Sequence, residues 1–477
     1  MNMTDNEILE GVLEEFKKIA KIPRPSGHEK AISDFLRDYF GELGFEAFQD
    51  DVNNVIVNTP ASGGYEDAPL TILQAHMDMV CVAADGVPYN PKKDPIHIIR
   101  EEKYLKAMGT SLGADDGMGI AIIMFLAKNL KEHGALRFIF TVDEEVGMKG
   151  AAAIDPKYFK DAKYLINCDS EKYDEIVKGC AGNVTIEFEK SIAREPISQN
   201  NIVTIELTGL HGGHSGERIG DNRANAIICL LRAVRNLKSY GEVELISVDG
   251  GNARNAIPSL ARATIATNID ADMLKIALMN EGRSVYMNYD EGNAEFIIKS
   301  AEANFDAIKT DDAEMIFKFV NLIHSGVYAM KGDMVETSAN LGLINTSKDS
   351  VELSFLPRSS KDNKLDVFIS KAKDLAELTG FNVTFSEKAL GWSQETSELA
   401  DMMSKIFKDI TGKDMEIKDM HAGIECGYYH KYNPNLDIVS IGTTNEEIHS
   451  PRERLELATV APIVKLVAET LKKVAEV

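Results

Sequence analysis

The chain has 477 residues, with 52 basic and 75 acidic side chains and a formal charge of −23. This acidic balance excludes a general nucleic-acid-binding protein, because phosphate recognition needs a basic face. A composition of 44% hydrophobic and 27% charged residues is typical of a packed globular protein and excludes a disordered chain. The length predicts about two or three domains.

Periodicity predicts two amphipathic helices at the start of the chain, around residues 8–19 and 32–43. Ser26 and Glu29 have the spacing of a capping box before the second helix. Short apolar runs at 55–57, 70–75, 136–142 and 164–168 then alternate with helical stretches at 117–130 and 150–153. Strands separated by helices predict an α/β fold, with a mostly parallel sheet sandwiched by helices.

The pattern changes near residue 183. Strands at 201–207 and 260–269 then alternate with helices at 222–237, 311–323 and 364–378, which predicts an inserted α+β domain over residues 184–386. The α/β pattern returns with a helix at 395–412, a strand at 436–441 and a final helix from 457. We therefore predict that residues 1–183 and 387–477 form one domain, interrupted by the insertion.

The sequence also bears on location. Its longest apolar run, residues 119–127, is far shorter than the roughly 20 residues that cross a bilayer. The opening residues, MNMTDNEILE, lack the basic and then apolar segments of a secretion signal. We expect a cytoplasmic protein that binds neither membranes nor nucleic acids.

Two polar motifs lie where ligands collect in parallel sheets, beyond the carboxyl ends of strands. His76 and Asp78 follow the apolar run 70–75, and the carboxylate at i+2 could orient the imidazole toward a metal. Asp115 and Asp116 lie between glycines at the start of the helical stretch 117–130. They could cap the helix, or one of them could bridge two cations.

Three adjacent acids, Asp143, Glu144 and Glu145, end the strand at 136–142. Because neighbouring side chains on a strand point to opposite sides, one glutamate could bind metal while the other serves as general base. A solvated turn is the alternative, and Asp169 after the strand at 164–168 has the same ambiguity.

Five cysteines without CxxC spacing argue against a disulfide framework and a thiolate zinc site, so any metal must be held by histidines and carboxylates. His449, in a distant polar loop, could complete a two-metal site of this kind. The motif HGGHSG at 211–216 continues with Glu217 rather than glycine, which argues against a GxSxG serine hydrolase. His214 could instead donate a hydrogen bond to a substrate oxygen from a tight turn.

Several motifs together resemble one family. These are AHMDMV, GTSLGADDGMGIA, TVDEEVGMKGA, LINCDSE, GCAGN, LTGLHGGHSG, GGNARNAIP, HAGIECG and SIGTTNEEIHSPRE, in order from residue 75 to 453. The pattern resembles the co-catalytic metallopeptidases of the aminoacylase and dipeptidase group, and most closely the bacterial aminoacyl-histidine (cytosol non-specific) dipeptidases. This resemblance implies a dizinc exopeptidase fold whose inserted domain is a lid.

The resemblance also implies two Zn²⁺ ions, although Mn²⁺ or Co²⁺ could occupy the same ligands. It assigns His76 and Asp169 to one ion, Glu145 and His449 to the other, and Asp115 as the bridge. Asp78 would then orient His76, and Glu144 would be the general base.

In the lid, the resemblance implies that His214 polarises the scissile carbonyl and that Asn255 and Arg358 hold the free carboxylate of the substrate. Gly423 and Glu425 would lie near the amino end of the substrate, and Asp116 receives no role. The resemblance also allows a homodimer.

The sequence thus predicts metal-dependent hydrolysis of dipeptides, of Xaa-His or of broad specificity. The alternative within the same chemistry is an amidohydrolase that removes N-acyl groups from amino acids. A metal-binding scaffold without turnover is the alternative outside it, although such a scaffold has no need of Asp78 and Glu144.

Overall fold

A computed structural model describes residues 3–476. The chain divides into two compact units. The first comprises Met1–Cys180, Trp392–Met420 and Ile424–Val477, and the second comprises Ala181–Gly391 with His421–Gly423. Within the described residues, none of the helices combines the length and apolar character needed to cross a bilayer.

The first unit contains seven α-helices within the described residues. They are Asp5–Ile19, Lys30–Glu42, Ala114–Asn129, Lys149–Ala153, Glu398–Thr411, Cys426–Tyr432 and Val460–Ala475. Two 3₁₀ turns, Pro156–Tyr158 and Leu457–Thr459, precede a strand and the last helix respectively. The strands are Glu46–Gln49, Val55–Thr59, Leu70–His76, Ile98–Arg100, Tyr104–Ala107, Leu136–Thr141, Ala162–Asn167, Glu175–Cys180, Trp392–Ser393, Glu416–Met420, Asp437–Ser440, Asn445–Glu446 and Arg454–Glu456.

A mixed sheet of nine strands forms the centre of this unit. Four adjacent strands, in the order Leu136–Thr141, Leu70–His76, Ala162–Asn167 and Asp437–Ser440, are mutually parallel. The strands Val55–Thr59 and Glu46–Gln49 extend the sheet antiparallel on one side. The predicted α/β class is confirmed, but the sheet is mixed, because its outer strands pair antiparallel except Glu416–Met420, which pairs parallel with Glu175–Cys180.

Both faces of the central strands are covered, which explains their nearly continuous apolar sequence. Ile72 belongs to one apolar cluster and Leu73 to another, and both side chains are fully buried. The helix Ala114–Asn129 is buried along most of its length, as expected of a helix that is apolar on all sides.

The start of the chain shows one confirmed and one wrong prediction. The helix Asp5–Ile19 forms as predicted and is capped by Thr4 and Glu7 in a reciprocal capping box. The capping box predicted for the second helix is wrong, because Glu29 is its N-cap residue and makes no side-chain capping bond. The hydroxyl of Ser26 donates instead to Asp78, 2.7 Å away.

The second unit has four α-helices: Ala226–Leu237, Ala271–Asn288, Thr310–Leu322 and Asp362–Thr379. Its strands are Gly182–Asn183, Ile186–Ser191, Arg194–Glu195, Asn201–Thr208, Gly213–His214, Val243–Gly250, Ala256–Ile257, Ala261–Thr267, Glu295–Ser300, Ala307–Ile308, Gly326–Lys331, Met334–Thr346, Ser350–Ser359 and Asn382–Phe385. Ten of them form one antiparallel sheet. The helices pack around a single apolar cluster with this sheet, as expected of an α+β architecture.

Candidate metal centre

The predicted metal-binding side chains follow neighbouring strands of the parallel region. His76 ends the strand Leu70–His76, which lies between Leu136–Thr141 and Ala162–Asn167. The acids of residues 143–145 come just after one of these neighbours, and Asp169 comes two residues after the other. Parallel strands end at the same edge of a sheet, so the topology brings these side chains together.

Asp115 lies at the centre of the cluster. Its Oδ1 atom is 2.9 Å from Nε2 of His76, and its Oδ2 atom is 3.1 Å from Nε2 of His449. Asp169 approaches the same nitrogen of His76 at 3.3 Å, and Glu145 approaches that of His449 at 3.0 Å. All five side chains predicted to bind metal therefore converge, with Asp115 shared between two histidine–carboxylate pairs.

Asp116, which the sequence left without a role, is buried beside this cluster. Its carboxylate accepts hydrogen bonds from the backbone N–H groups of His76 and Gly119, both at 3.2 Å. It also belongs, with His76 and Asp169, to a group of potential ligand atoms that lie within 4.8 Å of one another. The peptide bond between Asp115 and Asp116 is cis.

Asp78 is buried and connects the histidine to the acidic turn. Its Oδ1 atom lies 3.4 Å from Nδ1 of His76, and the backbone oxygen of Asp78 lies 3.1 Å from the same nitrogen. Its carboxylate also accepts the backbone N–H groups of Glu144 at 3.0 Å and Glu145 at 3.2 Å. This single side chain therefore fixes both the imidazole and the two glutamates.

Burial and mutual repulsion shift the titration of the acids. Burial, with the nearby Asp115 and Glu425, raises the pKa of Asp169 to about 8. Burial also raises the pKa of Glu144 well above its ordinary value, and the charges of Asp169 and Glu145 add to this effect. The cluster thus crowds acidic groups into a region of low solvent access, which disfavours their charged forms unless cations are bound beside them.

The pKa values of the two imidazoles rise and that of Asp115 falls, as expected of oppositely charged groups in close contact. Burial opposes the change, but hydrogen bonds to Asp115 and Glu145 raise the pKa of His449 to about 11. Burial by itself would raise the pKa of Asp115. Hydrogen bonds and charges of His449 and His76 outweigh burial and hold this pKa far below its ordinary value. Each imidazole nitrogen therefore faces carboxylate oxygens that stabilise a positive charge between them.

This donor set fits a pair of divalent cations. Imidazole nitrogen and carboxylate oxygen are the ligands that zinc and similar metals use when thiolates are absent. The two oxygens of Asp115 face different histidines, as a carboxylate shared by two ions would require. Besides the group of His76, Asp116 and Asp169, the group of Asp115, Glu145 and His449 also has potential ligand atoms within 4.8 Å of one another.

Two buried residues that the sequence analysis missed hold the Asp115 segment in place. The Glu453 carboxylate accepts the backbone N–H groups of Leu112, Gly113 and Ala114 at 2.7–2.9 Å. Arg24 donates to the carbonyls of Met77, Asp78 and Gly113.

Gly113 has φ +68°, and a Cβ atom there would lie 2.5 Å from the sulfur of Met79. Glycine is therefore required at this position. Glu453 was quoted only as the last residue of the motif SIGTTNEEIHSPRE, four residues after His449, and sequence gave no reason to single it out.

Glu425 is fully buried beneath the ends of the strands. Its carboxylate accepts hydrogen bonds from Gln74 at 2.6 Å and Thr141 at 2.8 Å. Gln74 in turn accepts one from Asn167 at 2.6 Å. Gln74, Thr141 and Asn167 precede His76, Glu144 and Asp169, respectively, by two or three residues. The burial favours a supporting role for Glu425 over direct contact with a substrate.

The remaining predicted site residues lie in the second unit, with Gly423 in its segment His421–Gly423. His214 belongs to a two-residue strand paired with Ala256–Ile257, and the backbone oxygen of Asn255 accepts the N–H of Ser215 at 2.8 Å. Arg358 lies opposite Ser338 in the sheet. The structure therefore places His214 and Asn255 on adjoining segments.

Arg358 is buried, its Nε atom has no hydrogen-bond partner, and burial lowers its pKa to about 10. His421 shares a 2.7 Å hydrogen bond with the Ser338 hydroxyl. Burial, with the charges of Arg358 and His214, lowers the pKa of His421 to about 4. His421 was quoted only within the motif HAGIECG, and sequence gave no reason to single it out.

Comparison with known proteins identifies the family over most of the chain. Peptidase family M20/M25/M40 matches residues 72–473. The cytosol non-specific dipeptidase of Escherichia coli (strain K12) is 33% identical over 470 residues, which cover 96% of each chain. The aminoacylhistidine dipeptidase from Vibrio alginolyticus has a solved structure with a TM-score of 0.83 at 30% identity, covering 97% of this chain and 96% of that one.

Human carnosine dipeptidase 1, at 12% identity with a TM-score of 0.55 over 99% of this chain and 98% of its own, shares the fold alone. The family match extends over most of the sequence and includes each of the five converging side chains. The matched range also spans the motifs, from residue 75 to 453, that suggested the resemblance. The chain belongs to peptidase family M20/M25/M40 and is a metallopeptidase.

Proposed function

We propose that this protein hydrolyses dipeptides in the cytoplasm. The arrangement of His76 and His449 on opposite oxygens of Asp115, with Glu144 held beside them through Asp78, carries this proposal. The names of the two relatives, a cytosol non-specific dipeptidase and an aminoacylhistidine dipeptidase, support both the substrate class and the location. The preferred substrates are then Xaa-His or a broad range of dipeptides.

His76 and Asp169 would hold one Zn²⁺ ion, Glu145 and His449 a second, and Asp115 would contact both. When bound, such ions lower the pKa of a water molecule and polarise the scissile carbonyl. Glu144 would accept a proton from the attacking water at its carboxylate and later donate it to the leaving amine. Its N–H bond to Asp78 keeps the glutamate backbone fixed during both transfers.

Residues 1–183 and 387–477 would form the catalytic domain, and residues 184–386 the lid. In the lid, His214 would donate a hydrogen bond to the carbonyl oxygen as negative charge develops there. Asn255 and Arg358 would hold the free carboxylate of the substrate. The buried Arg358 guanidinium supports this role, because its Nε donor has no partner inside the protein.

A panel of dipeptides, including several with histidine in the second position, tests the proposal. The metal-free protein should be inactive, and activity should return on addition of Zn²⁺, Mn²⁺ or Co²⁺. Each dipeptide is compared with its N-acylated analogue. Preference for the acylated compounds would favour the amidohydrolase alternative, and no turnover of either class with any metal would reject both.

A further inference from the structure

A cavity of about 620 Å³ lies in the second unit, along the helix Ala226–Leu237 and the end of the helix Thr310–Leu322. Its volume falls within the range of small-molecule binding pockets. The residues along Ala226–Leu237 that line it extend from Ile228 to Asn236, a length of roughly 12 Å at the rise of an α-helix. None of the predicted site residues lines this cavity.

The cavity differs in charge from the rest of the chain. Acidic residues make up 75 of the 477 positions, yet none of the twenty residues that line the cavity is acidic. Three of them are arginines, Arg223, Arg232 and Arg235, and His324 is a fourth basic residue. A concave surface lined by one sign of charge attracts the opposite charge.

The arginines are only partly neutralised by residues outside the cavity. Arg223 forms an ion pair of 2.8 Å with Asp221, and Arg232 forms a longer one of 3.7 Å with Glu281. The Nη2 atom of Arg232 is buried without a hydrogen-bond partner. Arg235 interacts electrostatically with Glu314 but forms no direct ion pair with any described residue, and its half-buried side chain lines the cavity. Its guanidinium therefore has donors available to a ligand.

The rest of the lining is largely apolar. Ile228 and Leu231 contribute from one helix, and Phe317 and Val320 contribute from the other. A ligand that fits must combine a negatively charged head group with an apolar body. Zwitterionic amino acids and dipeptides fit poorly, because the lining offers no carboxylate to pair with an ammonium group.

We propose that this cavity binds a small organic anion, with a carboxylate or phosphate head group at Arg235 and an apolar body between the helices Ala226–Leu237 and Thr310–Leu322. The site is separate from the proposed peptide hydrolysis and needs neither the metal ligands nor Glu144. It also selects a different chemistry from the proposed substrates, because they carry an ammonium group.

Calorimetric titration of the full-length, metal-loaded protein with hexanoate and with phenyl phosphate tests the proposal. We expect saturable binding of at least one of them, with a Kd of about 1 mM or lower. The comparison of the two probes identifies the preferred head group. Hexanamide, which lacks the charge, and 6-aminohexanoate, which adds an ammonium group, should bind at least tenfold more weakly, as expected when a charged contact is lost.

The variants locate the binding site. Arg235→Ala should weaken anion binding about tenfold, and Arg235→Glu should abolish it. Arg283→Ala, a matched change at an exposed arginine of the same unit, should leave it unchanged. Anion binding at the metal centre would persist in all variants and so cannot mimic this pattern. Absence of saturable binding to the wild type, equal binding by Arg235→Ala, or equal binding of 6-aminohexanoate would each overturn the proposal.

Discussion

The two units gather their functional side chains in different ways. In the first, the central strands are parallel, and polar residues at their carboxyl ends meet at one edge of the sheet. In the second, the sheet is antiparallel, so strand ends alternate between two edges. Its candidate residues lie elsewhere: His214 is in the two-residue strand Gly213–His214, and Arg358 is inside the strand Ser350–Ser359.

The two groups also differ in charge. The cluster of the first unit is rich in carboxylates, whose burial raises the pKa of Asp169 and Glu144. The group in the second unit contains Arg358, His214 and His421, and burial, with the charges of Arg358 and His214, lowers the pKa of His421. Under the proposed function, the first unit would carry the cations and the chemistry, and the second would bind the carboxylate of a substrate.

The largest expected effect is that of Glu144→Ala. Removal of the proposed base should lower kcat by about 100-fold or more, equivalent to about 3 kcal/mol of transition-state stabilisation. Metal content, measured by mass spectrometry of the purified protein, should stay at the wild-type level. Glu145→Ala is the matched control and should lose metal instead. Near-normal turnover of Glu144→Ala would contradict the proposal that Glu144 is the base and Glu145 a metal ligand.

Glu453→Gln should have the next largest effect. The amide keeps the shape of the carboxylate but offers only one acceptor oxygen to the N–H groups of residues 112–114. Metal affinity should fall by about 10- to 100-fold, as is usual when groups that orient metal ligands are changed. Titration against a chelator measures it, with Glu456→Gln as control. Unchanged affinity would show that other contacts hold Asp115.

Arg358→Lys tests the second unit. Lysine keeps the charge but cannot form the two-pronged contact of a guanidinium with a carboxylate. We expect KM for dipeptides to rise about tenfold with a small change in kcat, as measured by steady-state kinetics. Arg283→Lys, at an exposed site of the same unit, serves as control. A large loss of kcat with unchanged KM would place Arg358 in the chemistry rather than in binding.

The smallest effect concerns acid stability. The pKa of His421 is lowered to about 4 in the folded protein, so between that value and its unfolded pKa near 6.5 the unfolded state binds more protons. Stability from the neutral imidazole is complete above about pH 6.5 and is lost as the pH falls toward 4. Because His421 is partly exposed, we expect about 1 kcal/mol between pH 7 and pH 5.

Urea unfolding of the wild type and of His421→Gln at both pH values measures this contribution. The variant has no imidazole to protonate and should lose less stability on acidification. Equal losses in the two proteins would show that the environment of His421 does not resist protonation.

Sequence was sufficient for features that depend on local pattern. The apolar runs predicted the central strands and drew attention to His76, to the pair Asp115 and Asp116, to the acids of residues 143–145 and to Asp169. The resemblance to a family supplied the choice of Asp115 as the bridge and of Glu145 as the ligand, and it assigned the distant His449.

Features that depend on tertiary partners could not be predicted. Ser26 has the local pattern of a helix cap but bonds to Asp78, which lies 52 residues away. Arg24 and Glu453 bond to backbone groups of other segments. Every residue type carries such groups, so no side chain in the sequence marks the partner of either residue. Asp116 was ambiguous for the same reason, since both hydrogen bonds that it accepts come from backbone N–H groups.

The central strand Asp437–Ser440 lies beside Ala162–Asn167, although about 270 residues separate the two along the chain. A ribosome therefore completes the inserted unit before it makes this strand, His449 or Glu453. Until then, the growing polypeptide lacks one imidazole of the cluster and the carboxylate that holds the Asp115 segment. Under the proposed function, peptide cleavage therefore cannot begin until residues 437–453 have been made and have joined the parallel strands and the Asp115 segment.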